Sequence, residues 1–217
     1  MKSLILLGCG GNAYDVLDVV DAINVAQAHW QIAGFLDDQR AIGSEFCGRT
    51  IVGRLADAQR FAGAFFMNTI GSDQNFRRRP ELIAATGVAA ERFATLVHPA
   101  AAVSSRAALG RGVCVNFGAC IAGAVVVGDH VWVGTQAVIG HDAVLENHCV
   151  IAPAAVLSGF TRIGQAAYIG ANATIKQRVT IGDEALIGMA AVVTRDVCPG
   201  NTVVGNPARP LIVAAGC

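Results

Sequence analysis

The sequence lacks an excess charge of either sign. Its 217 residues include 16 Lys and Arg and 16 Asp and Glu, so the formal net charge is zero. A basic field, which would attract nucleic acid or an anionic membrane surface, is therefore missing. An apolar run of membrane-spanning length and a signal peptide are missing as well. We expect a cytoplasmic protein with no nucleic-acid partner and no membrane insertion.

Cysteine is present, but its spacing does not indicate a metal site or a disulfide framework. The seven cysteines are scattered along the chain, and no CxxC or Cys/His spacing occurs. Cys149 falls on an inward position of the repeat described next, which predicts a small core residue. The pattern indicates a reducing compartment and no bound metal.

A six-residue period runs without a break from Val103 to Val193. A period of six fits neither a helix nor an alternating strand. It predicts a parallel β-helix in which three hexads close one triangular coil, so that residues 18 apart stack on one another. The residue four positions after each aliphatic is nearly always small, as expected for a corner. The aliphatics are Val103, Leu109, Val115, Ile121, Val127, Val133, Ile139, Leu145, Ile151, Leu157, Ile163, Ile169, Ile175, Ile181, Ile187 and Val193.

The residues before the repeat predict a small α/β domain. Apolar strands near 3–8, 32–38 and 64–70 alternate with helical patterns, which favours a Rossmann-like parallel sheet. The period changes near residue 98. We therefore divide the chain into an α/β domain at 1–98 and an all-β parallel β-helix domain at 99–217.

The first strand and helix of this domain are joined by a glycine-rich turn that contains Gly10, Gly11 and Asn12. Glycines let a ligand approach the backbone, and free N–H groups at a helix start attract phosphate. The match to a full dinucleotide fingerprint is poor, and a tight turn without a ligand is the alternative. Asp37 and Asp38 end the second strand, where such folds place an acidic ribose or base contact. An acidic loop without a ligand is the alternative there.

Three basic residues, Arg77–Arg79, begin a later helix. We expect them to be solvated, as most charge runs are. Two histidines of the repeat, His130 and His148, are 18 residues apart and therefore stack on one column. A metal pair is conceivable there, but no third ligand is evident, and we interpret both as surface histidines.

A third histidine, His141, is the candidate catalytic residue. It lies at an outward corner, and the stacked positions one coil before and after it are Gly123 and Gly159. Bare glycines on both sides leave an open slot at the imidazole. Asp142 follows directly and is placed to hold one ring nitrogen, which leaves the other free as a general base. A surface histidine on a turn is the alternative.

Several of these features together resemble the PglD/NeuD-like sugar acyltransferases of the hexapeptide-repeat superfamily. They are the GCGGNA turn, the FLDD strand end, VHPAA at the domain junction, the unbroken hexads, GHD at 140–142 and the closing VVGNPAR. The resemblance covers nearly the whole chain. It implies a left-handed β-helix, a homotrimer, and an N-terminal domain that holds a nucleotide-linked amino sugar.

The resemblance also implies roles for individual residues. His141 would be the general base and Asp142 its partner, with acetyl-CoA as co-substrate. The amide of Gly159 would receive the thioester oxygen, and backbone contacts to the pantetheine arm would come from Ala171 and Met189. Nucleotide contacts would come from Gly10, Gly11, Asn12, Asp37 and Asp38. The chain departs from its relatives around the acceptor, at Asn12, Gly134, Gly140 and Val150.

Three functions follow as hypotheses. The first is N-acetylation of a nucleotide-linked amino sugar. The second is O-acetylation of a sialic-acid-like sugar. The third, from another class, is a non-catalytic β-helix that binds or scaffolds. An oxidoreductase that uses the N-terminal turn is disfavoured by the incomplete fingerprint.

Overall fold

The computed structural model describes residues 1–211. Cys217 and the last positions of the domain predicted at 99–217 lie outside the described residues. The order of elements is a five-stranded sheet with its helices, followed by a three-sided stack of short parallel strands. The predicted combination of an α/β domain and a left-handed β-helix is confirmed.

The N-terminal sheet has the strand order β3-β4-β2-β1-β5. Its four parallel strands are β1 (Lys2–Leu7), β2 (Trp30–Leu36), β4 (Arg49–Gly53) and β5 (Phe65–Asn68). A fifth strand, β3 (Glu45–Phe46), pairs antiparallel with β4 and was not predicted. The central strand β1 is buried along its last four residues, because the sheet has other elements on both faces.

One long helix, α1 (Gly11–Ala26), begins in the glycine-rich turn and packs its Val16, Val19 and Val20 against the sheet. The spacing of these apolar residues matches one helix face. The other helices are short: α2 (Arg79–Ala84) and the 3₁₀ helices Leu55–Arg60, Phe76–Arg78 and Ala90–Arg92. The 3₁₀ helix at Leu55–Arg60 is begun by the Asp57 carboxylate, which accepts the Arg54 N–H at 2.9 Å.

The β-helix has three faces, which we call the domain face, the apolar face and the third face. The domain face contacts the N-terminal domain and contains β6 (Leu96–Val97), β9 (Cys114–Val115), β12 (Trp132–Val133), β15 (Val150–Ile151), β18 (Tyr168–Ile169), β21 (Leu186–Ile187), β23 (Thr202–Val204) and β24 (Arg209–Pro210). The apolar face contains β7 (Ala102–Val103), β10 (Cys120–Ile121), β13 (Val138–Ile139), β16 (Val156–Leu157), β19 (Thr174–Ile175) and β22 (Val192–Val193). The third face contains β8 (Ala108–Leu109), β11 (Val126–Val127), β14 (Val144–Leu145), β17 (Arg162–Ile163) and β20 (Thr180–Ile181).

Residues 18 apart are paired in register, as the repeat predicts. Ile121, Ile139 and Leu157, for example, lie on successive coils of the apolar face and are all buried. The corner residues are buried too, and Cys149 is fully buried among them. Each inward position meets the same position of the next coil, so the interior is one continuous apolar column.

The segment around residues 93–97 belongs to both halves of the molecule. Phe93 forms a bridge with Phe66 of β5, and β6, which follows at once, pairs with β9 of the β-helix. The division of the chain at residue 98 stays a prediction. At the other end, Val203 of the closing segment enters the core and covers the last coil, as expected. No helix within residues 1–211 is long and apolar enough to cross a membrane.

The interpretation of Arg77–Arg79 as a solvated run is wrong for Arg79. Its side chain is only 2% exposed and lies between the two domains. Its guanidinium donates to the carbonyls of His130 at 2.8 Å and of His148 and Cys149 at 3.3 Å. The coil turns present several carbonyls to one planar donor, which suits arginine. Arg79 therefore fastens the N-terminal domain to the β-helix.

The interpretation of His130 and His148 as surface residues is also wrong. Their rings stack at 5.1 Å with an interplanar angle of 8°, and Phe93 packs edge-on against His130. His130 is buried because the N-terminal domain covers this column. Burial lowers the pKa of each ring to about 4, so both are neutral near pH 7. Within residues 1–211 no cluster of three or more His, Cys, Asp or Glu could hold a metal ion.

Candidate functional site

His141 and Asp142 lie at the corner between the apolar face and the third face. Asp142 Oδ2 is 2.8 Å from His141 Nδ1. Asp142 has a φ of 58°, in the left-handed region, which aspartate tolerates better than most residues and which turns its carboxylate back toward the ring. The carboxylate selects the tautomer that carries its proton on Nδ1. Nε2 is then unprotonated and available as a base.

The His141 ring lies over Gly159, which is buried. A Cβ added to Gly159 would lie 2.8 Å from both Cε1 and Nε2 of His141, so a glycine here leaves room for the ring. On the other side, a Cβ added to Gly123 would meet the exposed side chain of Arg106, 3.3 Å from its Nε. The sequence predicted an opening on both sides. The ring itself fills the Gly159 side, and Arg106 covers the Gly123 side because it lies nearly one coil earlier and folds over the bare backbone.

Several turns of the β-helix leave a backbone N–H without an acceptor within residues 1–211, as at Thr135 and His141. The N–H groups of Gly159, Ala171 and Met189 donate to no backbone or side-chain acceptor within residues 1–211. Ala171 and Met189 are stacked 18 residues apart at the corner between the domain face and the apolar face. The three amides can therefore donate to a ligand that lies along the β-helix.

A cavity of about 690 Å³ opens at the carboxyl end of the N-terminal sheet. It is lined by the glycine-rich turn, by Asp37 and Asp38 from the end of β2, and by Arg40 and Arg78. Side chains added at Gly10 or Gly11 would meet no protein atom within 4 Å, so the turn leaves the cavity open. The start of α1 has no side-chain cap, and the N–H groups of Gly11 and Asn12 have no acceptor within residues 1–211, so they can donate to an anion.

Asp37 and Asp38 differ in how many hydrogen bonds their carboxylates already accept. Asp37 accepts the N–H groups of Cys9 at 2.8 Å, Gln39 at 2.8 Å and Arg40 at 2.9 Å. Burial raises the pKa of this carboxyl, but the three amides outweigh it and the net shift is downward. Asp38 accepts only the N–H of Leu55, at 3.0 Å through Oδ1. Asp38 is exposed and keeps Oδ2 for a ligand.

Two predicted neighbours of the acceptor have structural contacts. Asn12 Nδ2 donates to the carbonyl of Gly71 at 2.9 Å, which ties the glycine-rich turn to the strand end opposite. Asn12 also lines the cavity. Val150, expected near the acceptor, is buried in the apolar contact between the domains, because its strand lies on the domain face. His141 is at a corner that this face does not reach.

Sequence reasoning missed Phe160 and Arg178 at the catalytic corner. The Phe160 ring packs edge-on against His141 with centroids 5.1 Å apart, and the Arg178 guanidinium lies 4.6 Å from the Phe160 centroid. Both residues follow Asp142 at steps of 18, so the stacking rule could have placed them. Their residue types alone indicated no chemistry.

The model of the family described as "Bacterial transferase hexapeptide (six repeats)" matches residues 124–159 and 160–195. No curated protein sequence matches the chain. Among solved structures, the acetyltransferase domain of PglB from Neisseria gonorrhoeae is 33% identical with a TM-score of 0.83. The alignment covers 97% of this chain and 100% of that domain. The same domain has been solved in complex with acetyl coenzyme A.

Perosamine N-acetyltransferase from Caulobacter crescentus is similar as well. A mutant of that enzyme in complex with CoA and GDP-perosamine is 27% identical with a TM-score of 0.85, over 98% of each chain. WeeI from Acinetobacter baumannii has the same fold, with a TM-score of 0.79 at 24% identity, over 97% of this chain and 100% of that one. The similarity to all three spans both domains of the chain.

Proposed function

The chain belongs to the hexapeptide-repeat family of PglD/NeuD-like sugar acyltransferases, and from this premise we propose that it is an acetyl-CoA-dependent N-acetyltransferase of a nucleotide-linked amino sugar. The observation that carries the proposal is the His141–Asp142 pair, whose ring lies over Gly159, a residue whose N–H has no acceptor within residues 1–211. A binding or scaffold protein has no need for an oriented base beside an unpaired amide.

The reaction we propose is direct transfer. The acceptor amine attacks the thioester carbonyl, a C–N bond forms, and the C–S bond breaks. His141 Nε2 takes the proton that the amine loses and returns a proton to the departing thiolate, so that CoA leaves as a thiol. General-base help of this kind contributes about 10²–10⁴-fold. The amide of Gly159, which has no acceptor within residues 1–211, would stabilise the developing oxyanion.

Acetyl-CoA would lie along the β-helix and accept hydrogen bonds from the free amides of Gly159, Ala171 and Met189. The thioester oxygen would lie at the Gly159 N–H, and the amides of the pantetheine arm would accept from Ala171 and Met189, whose N–H groups have no partner within residues 1–211. The relatives that were solved with acetyl-CoA or CoA support this assignment. Six free thiols in the described chain suit a reducing setting, and we place the reaction in the cytoplasm.

The N-terminal cavity would hold the nucleotide. The diphosphate would meet the amides at Gly10 and Gly11 and the start of α1, and Asp38 Oδ2 would accept an N–H or O–H of the base or ribose. Asp37 would act indirectly, by holding the loop at residues 37–40. The GDP-perosamine bound to the Caulobacter relative supports a nucleotide-linked amino sugar as the class of acceptor.

The catalytic corner and the cavity lie on opposite sides of one chain. The N-terminal domain packs on the domain face, whereas His141 lies at the corner formed by the other two faces. We therefore propose a homotrimer in which a sugar held by one subunit reaches His141 of another. The exposed aliphatic side chains on the apolar face, Val138 and Val156 on adjacent strands, support contact with a second copy.

The test is thiol release from acetyl-CoA with a panel of UDP-, GDP- and dTDP-linked amino sugars and free sialic acids. Wild type is run beside His141→Asn, which keeps a polar ring-sized group but removes the base. We expect release with at least one amino sugar, and a loss of about 10²-fold or more in the variant. Mass spectrometry of the product locates the acetyl group on nitrogen.

Two other results would each replace the proposal. Release with sialic acids only would identify the protein as an O-acetyltransferase. No release with any acceptor, together with no heat of acetyl-CoA binding in calorimetry, would leave the scaffold hypothesis.

A further inference from the structure

His141 is held by very few contacts for a residue that must aim a proton. Its side chain is 58% exposed, and within residues 1–211 its one hydrogen-bonding partner is Asp142. A single hydrogen bond in the plane of the ring restrains tilt poorly, because Asp142 is itself exposed and can follow the ring. The other side chain in contact is Phe160, whose ring stands at 87° to the imidazole.

Phe160 occupies the turn position that has a left-handed backbone in every hexad from Ala124 to Ala190. Its φ of 61°, which a bulky residue does not favour, is therefore set by the repeat. Its ring is 40% exposed, so it is not a core residue. The aromatic contact that the ring makes is the one with His141.

A second residue holds the Phe160 ring in place. The Arg178 guanidinium lies 4.6 Å from the ring centroid, and the Arg178 N–H donates to the carbonyl of Gly159 at 3.2 Å. The Phe160 N–H donates to the carbonyl of His141 at 2.9 Å. Arg178 forms no ion pair within residues 1–211. The side chains of His141, Phe160 and Arg178 thus follow one another in contact along the β-helix axis.

We propose that Phe160 is a positioning residue that keeps His141 Nδ1 on Asp142 and Nε2 over Gly159, with Arg178 as its support. The inference rests on the proposed function of His141 as the general base. The Asp142 hydrogen bond fixes the tautomer, and the edge-on contact with Phe160 limits how far the ring can rotate away from that bond. The residue acts through His141 and is not assigned a contact with either substrate.

The test compares Phe160→Asn, Phe160→Tyr and Arg178→Gln with wild type. Asparagine is favoured at positive φ, so Phe160→Asn relieves the strain and should melt at or above the wild-type temperature. It should nevertheless lower kcat by about tenfold or more, with the KM for acetyl-CoA within about twofold, because a small misplacement of a base is costly. Phe160→Tyr keeps the ring and should retain kcat. Arg178→Gln should fall between the two.

A further readout separates positioning from a structural role. Nitrogen NMR of the ligand-free protein should show one His141 tautomer in wild type and a mixture in the variant. This measurement needs no substrate, so it decides the proposal even if acetyl transfer fails. A folded Phe160→Asn with wild-type kcat and tautomer would overturn it.

Discussion

Gly159→Ala is the sharpest test of the slot beside His141. Gly159 does not have a φ in the left-handed region, so its backbone accepts alanine without strain. The new methyl group would lie 2.8 Å from Cε1 and Nε2 of His141, whereas carbon contacts settle at about 3.5 Å or more. The imidazole must therefore retreat by about 0.7 Å (3.5 − 2.8). Because the ring is exposed, it can move without disturbing the fold.

Displacement of the His141 imidazole should lower the catalytic activity and leave the stability of the fold unchanged. A misplacement of about 1 Å costs on the order of 10²-fold in rate, so we expect kcat/KM to fall by about 10²-fold, or about 2.7 kcal/mol of activation free energy. The melting temperature should change by less than about 2 °C, as for a surface substitution. The assay is thiol release at fixed acceptor concentration, with thermal unfolding measured in parallel.

Gly123→Ala is the matched control, on the same column one coil before His141. Its methyl group would meet the exposed Arg106 side chain, 3.3 Å from Nε and 3.5 Å from Nη2, and that side chain can swing away. We expect kcat/KM within about threefold of wild type. Equal activity in the two variants, whether high or low, would refute the argument that the Gly159 side of His141 is the reactive side.

Three other predictions concern the assembly and its stability. Burial lowers the pKa of His130 to about 4 from 6.5, so the unfolded chain binds more protons than the folded chain between these two pH values. The free energy of unfolding should therefore fall by on the order of 3 kcal/mol as the pH is lowered from 6.5 toward 4. His130→Phe should flatten this slope in urea titrations. Arg79→Met leaves buried carbonyls without their donor and should cost about 3 kcal/mol in urea unfolding, whereas the exposed Arg78→Met should cost less than about 0.5. The third prediction uses two variants: Gly11→Leu, which fills the nucleotide cavity, and His141→Asn, which removes the base. Each variant should be inactive alone, and activity should return when the two are refolded together. No recovery would argue that one subunit holds the whole site.

The β-helix could be predicted from sequence because its code is local. Each hexad places one aliphatic inward, and a period that never slips fixes the register of every coil. The same rule brought Gly159 onto His141, although they are 18 residues apart. Asp142 needed no fold at all, since it is adjacent in the chain. The part of the site that could be predicted is the part that the repeat itself aligns.

What could not be predicted depends on which face the N-terminal domain covers. Arg79 and His130 look like surface residues in a sequence, because charge runs and turn histidines usually are. Their burial arises from the docking of two domains, and no periodicity encodes that contact. Arg106 over Gly123 is a similar case, since the path of a long flexible side chain is not set by its column. Asp38 differs from Asp37 only through the loop that closes on Asp37.

The stacked coils allow only discrete positions for the catalytic base along the β-helix axis. Successive coils are separated by the spacing of neighbouring parallel strands, about 4.8 Å. Gly123, His141 and Gly159 have equivalent backbone positions, so moving the histidine together with its aspartate to a neighbouring coil would translate the base along the axis. The position of the base along the axis can therefore change only in steps of about 4.8 Å. Acceptor sugars of different reach could be matched by moving this pair of residues by one coil.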